Sequence, residues 1–379
     1  MTRPIRILHV IGVMDRGGAE TMLMNLYRTV DRERIQFDFM VHTDQAGSYD
    51  AEIEALGGRI YRVPLFTGVN LVRYRGAWNR FFNEHAEHSI VHGHIGSSAA
   101  IYLRMAHRRG RVTIAHSHSN STGPGIGGLL LRVAYLPVPS VADYLFACSD
   151  EAAMTRFGRR ACERQHYHVV PNGIDTEAYV FDPATREQVR TELGLHGEAV
   201  IGHVGRFTQE KNHTFLLDIF RAVAEVVPRV RLLLVGDGPL RPAIERRVAE
   251  AGLGGRVICT GVRTDVPRVL TAMDVFCFPS VYEGLPVAIV EAQASGLPVV
   301  MADSVPRTAI ATDLVTRLSL DESPAHWAHV IAEALARGIT RGRPSADAVA
   351  RAGFDVRQTA DWLTQFYGSV IPGAESDAP

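Results

Sequence analysis

The residues best suited to chemistry gather in one short stretch, 279–298. Glu283 and Glu291, with seven residues between them, flank the turn Glu283-Gly284-Leu285-Pro286. The turn follows an apolar run at 275–278 with the make-up of a buried strand, and it precedes a helix expected over about 287–295. Pro286 suits a helix start, where no N–H is needed, while Gly296 and Pro298 suit its end. A strand, a loop and a helix N-terminus leave main-chain N–H groups free, here those of Gly284 and Leu285, and such groups favour bound anions such as phosphate. A carboxylate beside a phosphate is repelled, so Glu283 and Glu291 are expected to face neutral hydroxyl groups of a sugar or a ribose. The plain alternative is a solvated loop glutamate and a second one on a helix surface.

Other residues point the same way. Arg206 and Lys211 follow the apolar run 200–204 and precede a helix expected near His213. A planar guanidinium and a compact ammonium on one loop suit a diphosphate; otherwise they are two exposed cations. Gly236 with Asp237, and Val262 with Arg263, lie in two further strand-end loops of the same half, which are otherwise plain turns. Near the N-terminus, Gly17 and Gly18 open a helix after the first strand and let the backbone approach a ligand. Their spacing is not G-x-G-x-x-G, which disfavours a nicotinamide cofactor. Two histidine pairs, His92 with His94 and His116 with His118, end two expected strands. Residues two apart on a strand share a face, so the pairs could converge as a metal cluster, although Asp143 and Asp150 follow other elements and no acidic ligand is evident. Capping of backbone carbonyls by these rings is the plain alternative, and a ring that positions a sugar is a third.

Short apolar runs that alternate with helix-period segments must position these residues. Strands are expected at 5–11, 37–41, 59–63, 90–93, 112–115, 144–147 and 168–170, then at 200–204, 232–235, 257–260 and 275–278. Runs apolar on both faces suit parallel sheets covered by helices, so the class is α/β with doubly wound sheets. A polar break at 173–197 divides the chain into domains 1–175 and 176–360, followed by an amphipathic segment with Trp362, Phe366 and Tyr367 and a tail that reads as disordered. The segment from Gly123 to Pro139 reads either as a flexible loop leading into a core helix, or as an acceptor-side lid or membrane-facing patch carrying Arg132.

Glu283 and Glu291, together with Ala294-Ser295-Gly296-Leu297-Pro298, resemble the signature of the retaining glycosyltransferases of family 4, which have the two-domain GT-B fold. Gly17-Gly18-Ala19-Glu20, Thr113-Ile114-Ala115-His116-Ser117, Pro171-Asn172-Gly173-Ile174-Asp175 and the spacing from Arg206 to Lys211 resemble motifs of the same family. The resemblance implies two Rossmann-like domains facing each other across a cleft. The N-terminal one, 1–175, would bind the acceptor and the C-terminal one, 176–360, the nucleotide-sugar, with a last helix in 361–379 returning toward the first. It implies that Arg206 and Lys211, with the Gly284 and Leu285 amides, hold the donor diphosphate. Glu291 would hold the ribose and Glu283 the transferred sugar, Gly236, Asp237, Val262 and Arg263 would approach the nucleotide, and Gly17 and Gly18 would lie over the diphosphate. His116 takes the sugar-orienting role, with His118 the close rival. The histidine-rich strings look most like exopolysaccharide or capsule glycosyltransferases. The segment 304–308 departs from the family, which commonly carries a Gly-rich turn and another Glu there.

Composition bounds the rest. The 379 residues are 46% hydrophobic and 21% charged, with a net charge of −1, an ordinary globular balance that gives no global attraction to nucleic acid. Four scattered cysteines show no metal or disulfide spacing and are expected to be free thiols in a reducing compartment. The N-terminus does not read as a signal peptide, and no apolar run reaches the ~18 residues of a membrane span. A cytoplasmic protein, able to touch the inner face of the membrane, is expected. Its donor is expected to be a nucleoside-diphosphate-sugar, UDP-sugar first, and its acceptor a glycan or polyprenyl-linked glycan, with no metal and no other cofactor. The alternatives are a sugar-nucleotide epimerase or hydrolase on the same fold, and a non-catalytic binding module.

Overall fold

The computed structural model describes residues 4–371 except 16, 119–124, 165 and 339. The chain forms two units, residues 1–173 with 356–379, and residues 174–355. The domain break thus falls two residues before the expected position, and the chain re-enters the first unit at Val356 rather than at 361. The tail from 372 onward, expected to be disordered, lies outside the described residues.

The first unit holds a seven-stranded parallel sheet: β1 (Ile5–Ile11), β2 (Ile35–Val41), β3 (Ile60–Arg62), β4 (His88–Gly93), β5 (Val112–Ser117), β6 (Tyr144–Ala147) and β7 (His166–Val169), in the order β3-β2-β1-β4-β5-β6-β7. β2 is buried along its whole length, as a strand covered by helices on both faces must be. The helices Gly18–Thr29 and Val356–Val370 pack together and close one face over Tyr27, Phe37, Phe39, Leu363 and Tyr367. The last helix is therefore part of the first unit's core.

The second unit holds a six-stranded parallel sheet: β8 (Ala199–Val204), β9 (Val230–Val235), β10 (Val257–Cys259), β11 (Val275–Phe278), β12 (Val299–Ala302) and β13 (Val315–Leu318), in the order β10-β9-β8-β11-β12-β13. β12 and β13 were not among the expected strands. β12, Val-Val-Met-Ala, follows the helix end at Gly296 by two residues and was read as the tail of that motif, while β13 is an edge strand whose Val-Thr-Arg-Leu sequence has no apolar run. All four cysteines are free, and three are buried.

A buried charge ties the amino ends of the first sheet together. The Asp38 carboxylate of β2 accepts from Arg6 Nε at 2.6 Å and from His88 Nε2 at 2.8 Å. Burial pushes its pKa up, but the bonds from His88 and Arg6 outweigh that and hold it below the usual carboxylate range. A depressed carboxylate contributes stability above its unfolded pKa, and that contribution is lost as pH falls through the folded value. Asp38→Asn is expected to cost about 3–5 kcal/mol, the penalty for unpairing a buried ion partner. Urea unfolding at pH 7 measures the loss, and the difference from wild type should shrink as the pH falls below about 4.

Candidate active site

Both sheets reverse strand order once: between β1 and β4 in the first unit, and between β8 and β11 in the second. Open parallel sheets bind ligands beyond the carboxyl ends of the strands at such a point. In the second unit, the residues after β8 and β11 are those the sequence singled out. Lys211 Nζ donates to Glu283 Oε1 at 2.7 Å and lies 4.7 Å from the Phe278 ring centre. The Val281 N–H donates to the Glu210 carbonyl, fixing one loop against the other. Lys211 and the Glu283-Gly284-Leu285 turn are therefore together. The amides of Gly284 and Leu285 meet no backbone carbonyl among the described residues. Pro286 is the N-cap and the helix runs Val287–Ala294, ending before Gly296 at φ +70°. Arg206 is exposed, and its guanidinium enters no hydrogen bond or ion pair among the described residues.

Glycines let the neighbouring loops interlock. A Cβ on Gly236, at φ +136°, would sit 2.1 Å from the Gly205 carbonyl oxygen, and a Cβ on Gly205 would press on the Lys211 stem at 3.2 Å. The Phe207 N–H donates to the Asp237 carbonyl, and the Gly236 N–H to that of Gly261. This joins the loops after β8, β9 and β10 along one edge. Val262 is exposed there. The side chains of Asp237 and Arg263 are engaged by neighbours. The Asp237 carboxylate accepts from the Gly238 N–H and from Arg241, and Arg263 is paired with Asp265 through two bonds of 2.6 and 2.7 Å. The atypical segment has a local purpose: Ser304 Oγ donates to the Ser280 carbonyl at 2.8 Å, tying the loop after β12 to the one after β11.

Glu291 lies in the second turn of its helix. Its Oε1 accepts from the Tyr179 hydroxyl at 2.6 Å, and burial pushes its pKa up, with that bond pulling the other way. Tyr179 is a partner of Glu291 that the sequence reading missed. It stands on a short 3-10 turn, Thr176–Tyr179, which was read as part of the polar linker.

In the first unit, Gly17 is the N-cap of the helix Gly18–Thr29. A Cβ there would meet the Glu20 carboxylate at 2.3 Å, so glycine lets that side chain fold back over the helix end, and Gly18 faces open space. The histidine pairs converge, joined by His9 of β1, which the sequence reading missed because one histidine inside an apolar run carries no signal. His92 Nδ1 is 2.7 Å from the Tyr367 hydroxyl, and His92 Nε2 is 3.1 Å from His116 Nδ1. A second chain links His9 Nδ1 to His94 Nε2 at 3.0 Å, and His94 Nδ1 to His118 Nε2 at 2.7 Å. Burial pushes all five pKa values down, to about 3 for His9 and about 4 for His118, so the rings are neutral at pH 7. His9, His92 and His94, and His94, His116 and His118, each bring three ring nitrogens within reach of one ion. Among the described residues none of these five rings meets a backbone carbonyl: ring pairs with ring, and His92 with Tyr367 as well. His116 is 4% exposed and His118 is the more open of the two.

A model described as Glycosyltransferase Family 4 matches residues 16–178, and one described as Glycosyl transferases group 1 matches residues 198–337. The chain is 37% identical over 368 residues to the putative glycosyltransferase EpsF of Bacillus subtilis, covering 96% of each chain. The chain belongs to glycosyltransferase family 4. This glycosyltransferase is also 29% identical over 231 residues to the UDP-Gal:alpha-D-GlcNAc-diphosphoundecaprenol alpha-1,3-galactosyltransferase of Escherichia coli, covering 52% of this chain and 59% of that one. The crystal structure of Anabaena Alr3699/HepE in complex with UDP superposes with a TM-score of 0.79 at 21% identity, over 96% of this chain and all of that one, which shows that the two share the GT-B fold.

Tyr179→Phe removes the donor that favours ionised Glu291. The Glu291 pKa is expected to rise further above the usual carboxylate range, observed as an upward shift of its titration in carboxylate infrared or 13C NMR spectra.

Proposed function

We propose that this glycosyltransferase moves a sugar from a nucleoside-diphosphate-sugar, UDP-sugar first, with retention, onto a glycan or polyprenyl-linked acceptor in extracellular polysaccharide or capsule synthesis. The observation that carries the reading is the Lys211–Glu283 pair beside two open amides, Gly284 and Leu285, at the β8/β11 reversal. An arriving diphosphate supplies Lys211 with a stronger anionic partner, which leaves Glu283 free to accept from sugar hydroxyls. Arg206 and the two amides complete the anion site, and Glu291 takes the ribose hydroxyls on the oxygen Tyr179 leaves open. Gly236, Asp237, Val262 and Arg263 line the nucleotide side through their backbone. Gly17 and Gly18 lie over the diphosphate, and His116 orients the transferred sugar. The UDP complexes of Alr3699/HepE and the name of the Escherichia coli galactosyltransferase, with its UDP-Gal donor and diphosphoundecaprenol-linked acceptor, support the donor class and the lipid-linked acceptor.

The acceptor hydroxyl oxygen bonds the anomeric carbon on the face from which the diphosphate departs. Its proton passes to the leaving phosphate oxygen, and no sugar–enzyme bond forms. Arg206 and Lys211 stabilise the departing charge, so the reading needs no metal there. In a thermal-shift panel, UDP and UDP-sugars should raise the melting temperature while nicotinamide nucleotides leave it unchanged. Lys211→Ala should lower kcat by ~10²–10³ and weaken the UDP shift. Wild-type activity that vanishes with chelator, or donor converted to epimer or free sugar at the rate of nucleotide release, would count against transfer as proposed.

A polyprenyl-linked acceptor brings the protein to the inner face of the membrane. None of the described helices is long and apolar enough to cross one. The first unit carries a fitting surface. In the helix Gly125–Tyr135 and just beyond it, Leu129, Val133 and Leu136 are exposed beside exposed Arg132, while Tyr135 and Val138 are buried, so the described residues of that segment have both a core side and an open side. Val69 and Val72 are 94% and 87% exposed, next to Arg73 and Arg75. Asn70 clasps this loop, accepting from the Thr67 N–H and donating to the Leu65 carbonyl, so these aliphatic groups are held outward. No Asp or Glu stands between Glu54 and Glu84 or between Glu87 and Asp143. Apolar groups among arginines suit an anionic lipid surface. The protein should float with phosphatidylglycerol vesicles and not with phosphatidylcholine ones, and Val69→Asp with Val72→Asp should abolish flotation while leaving the melting temperature unchanged.

A further inference from the structure

The hydrogens in the chain Tyr367–His92–His116 follow from the relative strengths of its donors and acceptors. The Tyr367 hydroxyl is buried in the first unit, and its one hydrogen-bond partner among the described residues is His92 Nδ1. Either order of the chain leaves one buried donor without a partner among the described residues, the Tyr367 O–H or the His116 Nε2–H, so the Tyr367–His92 bond decides: a phenol is the stronger donor of the two groups and an imidazole nitrogen the stronger acceptor. Burial also holds the phenol protonated. The phenol therefore donates, and His92 Nδ1 accepts. A neutral imidazole has one N–H, so His92 carries its hydrogen on Nε2 and donates to His116 Nδ1. His116 is then left with its hydrogen on Nε2. That atom is buried and meets no partner among the described residues. The rings have little freedom to turn out of this order. Phe146 sets its ring edge-to-face against His92 at 5.3 Å and against His116 at 5.8 Å, and Phe37 does the same to Tyr367 at 6.4 Å.

We propose that Tyr367, on the last helix, is a positioning residue that acts through His92 to fix His116 in the Nε2–H form, so that the ring offers one preset hydrogen-bond donor to an oxygen of the transferred sugar. The assignment of the tautomer rests on this chain alone. Its use on a sugar rests on the transfer reading above.

The test uses full-length protein labelled with 15N at the histidine ring nitrogens, with two-bond and three-bond 1H–15N correlations recorded without substrate. In the wild type, His116 Nε2 should appear as the protonated, pyrrole-like nitrogen and Nδ1 as the acceptor. In Tyr367→Phe the two shifts should move toward each other as the tautomers mix, and kcat should fall by roughly tenfold with the donor KM within twofold of wild type. His92→Gln, whose carbonyl can accept from Tyr367 and whose amide can donate to His116, should keep the wild-type pattern, whereas His92→Leu should lose it; this pair serves if Tyr367→Phe fails to fold. A wild-type His116 protonated on Nδ1, an unchanged pattern in both Tyr367→Phe and His92→Leu, or metal-bound shifts with stoichiometric metal in the purified protein would overturn the proposal. A changed tautomer with unchanged kcat would support it and count instead against the sugar-orienting role of His116.

Discussion

Parallel strands deliver all their carboxyl ends to one edge of a sheet, and a reversal of strand order leaves a gap between two loops at that edge that no crossover helix fills. Both units of this glycosyltransferase are built around that constraint. In the second unit the gap lies between β8 and β11, and the loops on its two sides supply Lys211 and Glu283, which meet at 2.7 Å. In the first it lies between β1 and β4, where His9 and His92 are direct register partners.

Cation and carboxylate in the second unit hold each other while both remain partly open to solvent, with 18% and 12% of their side-chain surface exposed. A pair of that kind is only modestly stabilising and can be exchanged for a better partner. The loops beneath it are fixed more firmly, because their contacts are backbone to backbone and depend on glycines at close approach. Gly236 cannot carry a side chain without striking the Gly205 carbonyl, whatever the side chain is. Rigid loops under an exchangeable ion pair suit a site that admits a polyanion and releases it.

The first unit solves a different problem. Five neutral imidazoles sit among Phe37, Phe39 and Phe146, where charge would be expensive. His92 and His94 each engage both ring nitrogens in these chains, while His9 and His116, at chain ends, each keep one buried nitrogen without a partner among the described residues. Tyr367 enters one chain from the far end of the sequence, which links the last helix to the strand ends chemically as well as by packing.

Much of this was legible in the residues themselves. Apolar runs of four to seven residues specify buried parallel strands because they must satisfy two covering layers, and the run at 144–147 was found at its expected bounds as β6. The turn at Glu283-Gly284-Leu285-Pro286 was legible because proline and glycine punctuate helices by local sterics, which needs no tertiary context. The short edge strand β13 was not, since an edge strand needs no apolar run. Nor could the sequence show that Arg263 and Asp237 are engaged by neighbours, that Tyr179 reaches Glu291 across 112 positions, or that His92 is joined to Tyr367 across 275. Local conformational preference and hydrophobic pattern are properties of neighbouring residues, so the sequence determined the fold class, the turns and the kinds of groups at the strand ends. Which of those groups pair, and in which protonation form they are held, depends on burial and on partners brought from far along the chain, and only the tertiary structure decided that.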